Sequence, residues 1–219
     1  MHAVLDLFHK IYDVQGLITW GGLALLVFII FAETGLLVGF FLPGDSLLVT
    51  AGIYCTSLEP GKPPLLSLPL VLLLPSLAAI VGDTVGYWLG AKTGPKLFTR
   101  ESSLLFSKKH LLKTKEFYER HGGKTIIIAR FLPFARTFAP VVAGIGKMEY
   151  GRFLRFNVFG GIGWVFSMVL LGFGLSHAVP NLGKQIDKVI IVIIFVSLLP
   201  AMISWVMNRK KVPGSTTAS

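Results

Sequence analysis

The stretch TIIIARFLPFARTFAPVVAGIG, residues 125–146, sets Arg130 and Arg136 in an otherwise apolar run with Pro133 between them. An arginine at the centre of an isolated membrane helix costs about 2.5–3.5 kcal/mol on insertion scales, so two would offset much of the gain from the surrounding Ile, Phe and Val. Pro133 and Pro140 each lack a backbone N–H and crowd the preceding turn, which argues against one straight helix. Non-helical backbone at membrane depth is tolerated only where protein covers it or it lines a wet cavity. A re-entrant hairpin of two short arms meets both constraints. An arm of about ten helical residues rises about 15 Å, half the hydrocarbon thickness, so its tip reaches the midplane.

An earlier stretch echoes this one. FLP at 41–43 followed by AGI at 51–53 recurs as FLP at 131–133 followed by AGI at 143–145. The charges are opposite: Glu33 and Asp45 flank the first proline, Arg130 and Arg136 the second. Interrupted segments at corresponding places in two halves of a membrane protein point to a transporter's midplane site. Two facing hairpins in an inverted-repeat arrangement would bring Glu33 and Asp45 to Arg130 and Arg136. Pro43, Gly44, Pro133 and Pro140 are the residues expected to shape the hairpins.

Composition sets the class. Over 219 residues the chain is 53% hydrophobic with a mean hydropathy of +0.71, too apolar for an ordinary soluble domain. An all-α polytopic membrane protein of one domain is expected. Cys55 is the single cysteine, so no intrachain disulfide is available. The N-terminus lacks the charged n-region and long apolar core of a cleaved signal peptide. A net charge of +10 could suggest nucleic acid, but the basic residues lie in loops between apolar segments: residues 92–124 hold nine Lys or Arg against three Glu, and Arg209, Lys210 and Lys211 follow the last apolar run. Such clusters mark the cytoplasmic side and suit anionic headgroups. No nucleic-acid partner, metal or cofactor is expected.

The remaining segments follow from periodicity and length. Residues 1–16 place Val4, Leu7, Phe8, Ile11 and Val14 at helical spacing against Asp6, His9, Lys10 and Asp13, an N-terminal interfacial helix. Residues 17–57 form the first hairpin region, read either as a hairpin or as a helix plus a return arm. Residues 58–64 carry exposed turn chemistry. Residues 65–91 are a crossing with Tyr87 and Trp88 at its interfacial end. Residues 92–124 form a cytoplasmic basic loop, 157–179 and 189–207 cross out and back, and 208–219 are a cytoplasmic tail. Returning Lys147, Arg152 and Arg155 to the cytoplasm requires that 125–146 turn back, which favours the hairpin. Gly160, Gly161, Gly163, Gly172 and Gly174 are expected to let helices pack closely, and Trp20, Trp164 and Trp205 to anchor at the interface.

The chain resembles the DedA family. The resemblance rests on Glu33 upstream of FLPGDS at 41–46, on Gly82-Asp83 with Gly86-Tyr87, and on RFLPFART at 130–137, in the family's order and rough spacing. It implies a multi-pass protein of the bacterial inner membrane with two facing re-entrant hairpins. DedA-like proteins and their VTT-domain relatives are associated with moving lipids between leaflets. For bacterial members the resemblance implies undecaprenyl phosphate recycling and dependence on the proton-motive force.

Chemistry supports a phosphate cargo, because guanidinium offers a rigid fork of donors matched to phosphate oxygens. Arg130 and Arg136 are the expected headgroup ligands. A second reading makes them only the neutralising partners of Glu33 and Asp45. These two acids are the expected proton carriers, with Asp83 a third candidate that either lines the same cavity or bonds a neighbouring helix. The expected function is a proton-coupled lipid translocase, flippase- or scramblase-like, carrying a lipid phosphate or phospholipid. Its partners are membrane lipids and protons, and a homodimer is compatible with the sequence. A proton-coupled exporter of small cations competes, although two arginines disfavour cationic cargo. A lipid phosphatase competes less well, since a nucleophile beside the hairpin is wanting. A transporter, not an enzyme, is expected.

Overall fold

The computed structural model describes residues 14–36, 42–58, 61–97 and 124–178. The expected interfacial helix, most of the basic loop, the 189–207 crossing and the tail lie outside the described residues. Among those described, the chain is all-helical: α1 (Val14–Gly35), α2 (Gly44–Tyr54), α3 (Leu68–Leu97), α4 (Lys124–Arg130), α5 (Pro133–Ile145) and α6 (Tyr150–Ala178).

Three of these helices are long and apolar enough to cross a membrane, over Leu17–Gly35, Leu68–Gly94 and Tyr150–Ala178. They coat the molecule with apolar side chains such as Trp20, Phe28, Trp88 and Phe159, all more than half exposed. In a membrane that surface faces hydrocarbon.

Of the two alternatives for residues 17–57, the structure takes the long helix followed by a short one. The break inside α1 falls at Gly22, whose φ of 54° and ψ of −147° only glycine adopts readily. The short helix α2 starts just after Pro43, and its 11 residues rise about 16 Å, too little to span.

Residues 125–146 divide as their prolines suggest, but only one proline makes the division. Pro133 opens α5, where a missing N–H is no loss, and Leu132 before it is extended at φ −110°, ψ 115°. Pro140 lies inside α5 and does not end it. The 7 residues of α4 and the 13 of α5 are each shorter than a span. The two FLP…AGI words therefore bracket α2 and α5, one opening just after its proline and the other at it.

Two boundaries differ most from expectation. Helix α3 ends at Leu97 rather than 91, because its Gly90 and Gly94 lie against α5, which packs along this end. Helix α6 starts at Tyr150 rather than 157, so Arg152 and Arg155 belong to its exposed first turns.

Helices α2 and α5 are each fastened to a long one by bare backbone. A Cβ on Gly52 of α2 would lie 2.1 Å from the Val169 carbonyl oxygen of α6, and one on Gly172 would lie 1.9 Å from that of Val49. The same reciprocal contact joins α5 to α3, with Gly144 at 2.0 Å from the Tyr87 oxygen and Gly90 at 2.0 Å from that of Val141. Small residues that let backbones touch are the usual means of joining helices in lipid.

The main core gathers α1, α2, α3 and α6 around Leu26, Ile30, Leu48, Ile53 and Trp164. A smaller one holds α4 against α3, α5 and α6 through Tyr87, Ile126, Ala129 and Phe153. Tyr87 belongs to this core rather than to the interface: its hydroxyl donates to the Met148 carbonyl and its ring stacks on Phe153 with centroids 4.7 Å apart.

Candidate functional site

Every charged residue singled out in the apolar sequence comes to the interior. Glu33 sits near the end of α1, Asp45 in the first turn of α2, Asp83 midway along α3, Arg130 at the end of α4 and Arg136 one turn into α5. Glu33, Asp83, Arg130 and Arg136 are 1%, 2%, 2% and 9% exposed, and Asp45 is partly buried. Burial on this scale is tolerated only for ions that are paired and hydrogen-bonded.

The pairing divides them into two groups. Arg136 donates through Nη2 to Glu33 Oε1 and through Nη1 to Asp45 Oδ1 at 2.5 Å. Its guanidinium lies over the Trp164 ring, 5.0 Å from the centroid, and the Trp164 indole N–H donates to the same Asp45 oxygen at 2.8 Å. The ring contributes cation–π attraction while its N–H holds the carboxylate. Arg130 instead donates through Nη2 to Asp83 Oδ2 and Asn157 Oδ1. The Asn157 amide donates in turn to the Ile80 carbonyl at 3.0 Å. Facing hairpins were expected to set both arginines against Glu33 and Asp45. Instead both acids go to Arg136, and Asp83 is the partner of Arg130.

Glycines make the room. A Cβ on Gly44 would fall 1.6 Å from Glu33 Oε2, so the carboxylate reaches the start of α2 only because position 44 has no side chain. On α6, Cβ atoms at Gly160 and Gly161 would lie 3.2 Å from Arg130 Cδ and 3.4 Å from its Nη2. Those two glycines do serve close packing, but against the arginine side chain. The α1–α3 crossing is equally tight, with a Cβ on Gly82 placed 2.1 Å from Thr34 Oγ1. That crossing sets Glu33 and Asp83, each next to a crossing residue, on neighbouring helices.

The network is not saturated. Glu33 Oε2, Arg130 Nε, Arg136 Nε and the hydroxyls of Thr50 and Thr137 are buried without a hydrogen-bond partner among the described residues. Unused donors and acceptors this deep leave capacity for a polar guest.

Comparison with known proteins gives the family. The VTT domain model matches residues 42–174. Protein DedA of Escherichia coli strain K12 is 44% identical over 187 residues, 85% of this chain and 83% of that protein. The chain belongs to the DedA family. An uncharacterized membrane protein of Mycobacterium leprae is 44% identical over 178 residues, 80% of this chain and 76% of its own length. Inner membrane protein YqjA of Escherichia coli strain K12 is 34% identical over 156 residues, covering 69% and 66%. No solved structure matches.

In this DedA-family chain, three motifs quoted from the sequence supply the two groups: the acid of the PGD turn, the acid of Gly82-Asp83 and the two arginines of RFLPFART. Two members of the network were not foreseen. Trp164, expected at the interface, is fully buried and completes the Arg136 group. Asn157, expected at the mouth of a crossing, is fully buried and holds Arg130. A lone amide in an apolar run was the signal available for Asn157, but the basic residues just before it placed it at a helix end.

Proposed function

We propose that the chain is a lipid translocase, a transporter and not an enzyme, moving a lipid phosphate such as undecaprenyl phosphate or a phospholipid between leaflets of a bacterial inner membrane. The observation that carries this reading is the Arg136 group: one guanidinium deep in apolar surroundings, held by two carboxylates and left with an unpartnered N–H. A guanidinium matches phosphate geometry, stays charged at any physiological pH, and is placed here where a headgroup would have to shed water.

Carboxylates hold the empty site and cargo replaces them. At an effective dielectric near 20, two charges 4 Å apart attract by about 4 kcal/mol. That is enough to keep Arg136 home and small enough for a doubly charged phosphate to overcome. Protonation of Glu33 or Asp45 weakens the hold, and so couples headgroup capture to a proton; Arg130 and Asp83 serve the same passage from the neighbouring group. The short helices are taken as the facing arms of two re-entrant hairpins in an inverted repeat. Their support is the matched pair of bare-backbone contacts, Val49 and Gly52 of α2 to α6, Val141 and Gly144 of α5 to α3.

Reconstitution into liposomes with a labelled lipid phosphate on one leaflet tests the reading. The wild-type protein moves the label; Arg136→Lys keeps the charge, loses the fork and moves it at least about tenfold more slowly. A wild-type protein that leaves the label on its original leaflet, in the presence and absence of a proton gradient, overturns the proposal.

A further inference from the structure

Hydroxyls in these helices follow a common habit. Thr34 donates to the Ile30 carbonyl at 2.9 Å, Ser76 to Leu72 at 2.6 Å, Thr84 to Ile80 at 2.9 Å and Thr93 to Leu89 at 2.7 Å, each four residues back. Ser167 and Ser176 turn to carbonyls three residues back, at 2.8 and 2.6 Å. This is how a hydroxyl is satisfied in a low-dielectric setting, and the alternative χ1 well that permits it is open to threonine in a helix.

Thr137 departs from the habit. Its side chain is 2% exposed, it lies inside α5, and its hydroxyl has no partner among the described residues. A buried hydroxyl left unmade weakens the fold, and valine would fill the same volume without that penalty. Packing alone therefore gives no reason for threonine here. Its neighbour supplies one, because Arg136 also has a buried, unpartnered Nε–H. Two successive side chains of α5 thus hold unused hydrogen-bonding capacity, one belonging to the guanidinium already assigned to the headgroup. Thr50 is a second buried hydroxyl without a partner, but it sits on α2, which carries no arginine.

We infer that Thr137 is a ligand of the cargo headgroup, its hydroxyl donating to a phosphate oxygen while Arg136 binds the same phosphate. The inference rests on the lipid-phosphate reading and adds to it a neutral donor that discriminates by hydrogen bonding rather than by charge.

The test is binding of dihexanoyl phosphatidic acid, and separately of inorganic phosphate, to the purified full chain in detergent by titration calorimetry. Unfolding temperature is followed alongside. Thr137→Val is expected to weaken phosphatidic acid binding about tenfold or more, the effect of one hydrogen bond to a charged group. Its unfolding temperature stays the same or rises, and Thr137→Ser retains the wild-type affinity. Should the valine variant fail to fold, Thr137→Ala is read in its place. Wild-type affinity in the valine variant, or a lowered unfolding temperature with affinity unchanged, overturns the role of Thr137 and leaves the lipid-phosphate reading intact. A wild-type protein that binds neither probe overturns both. Inorganic phosphate bound as tightly as phosphatidic acid, with the same loss in Thr137→Val, supports the ligand role and overturns the lipid as its source.

Discussion

Arg130 and Arg136 stand six positions apart in sequence, and the protein treats them differently. Around Arg130 there is one carboxylate, one amide anchored to backbone, and two glycines of α6 shaped to the side chain. Around Arg136 there are two carboxylates for one cation, an aromatic face, and a carboxylate oxygen without a partner. The first group balances its charge. The second holds a surplus of negative charge, so neutrality there requires a proton or an exchange of partners. The lesson is that buried arginines of similar sequence setting can be balanced by one carboxylate in one place and outnumbered by two in another.

The largest effects should come from deleting each cation. Removing one partner of a buried ion pair costs about 3–5 kcal/mol. Arg136→Ala leaves two carboxylates facing each other and should unfold at a lower temperature than Arg130→Ala. Equal losses in thermal unfolding would break the contrast. Next in size is the coupling itself. The Glu33→Gln, Asp45→Asn double variant is expected to transport labelled lipid phosphate at a rate independent of pH, whereas the wild type quickens as pH falls and Asp83→Asn keeps that slope. A pH-dependent double variant would place the proton elsewhere.

Smaller effects sharpen the picture. Gly44→Ala drives a methyl onto Glu33 Oε2 and should destabilise by about 1–3 kcal/mol. Gly161→Ala meets Ile80 Cγ1 at 3.1 Å and Arg130 Nη2 at 3.4 Å and should cost less in chemical denaturation. Trp164→Phe keeps a ring over Arg136 and loses one N–H bond to the Asp45 carboxylate, worth about 1.5–3 kcal/mol. A loss several times larger would mean that Asp45, not the ring, is what Trp164 is there for.

Much of this was legible from residues alone. The cost of an arginine in apolar surroundings singled out residues 125–146, Pro133 located its break, and the repeated words located α2 and α5. Two of the three long apolar helices, α3 and α6, follow from hydropathy and length, whereas for α1 the sequence left a hairpin and a helix plus a return arm open. Partnership was not legible, because which acid meets which arginine depends on the crossing of α1 and α3 at Thr34 and Gly82, a tertiary contact with no sequence period. Trp164 was misplaced for a related reason: an indole suits a headgroup boundary as well as a polar interior, and composition does not say which. Pro140 looked like a second break, yet α5 continues through it, packed along α3 on Val141 and Gly144.

The reciprocal glycine contacts limit how the site can open. Where two backbones already touch through missing side chains, neither helix can slide toward the other, and sliding away would leave unfilled space in lipid. Asp45 is therefore geared to α6 and Arg136 to α3. Parting that pair by more than a side-chain rotation would oblige two long helices to shift as well, so the exchange of partners proposed above would be registered across the bundle.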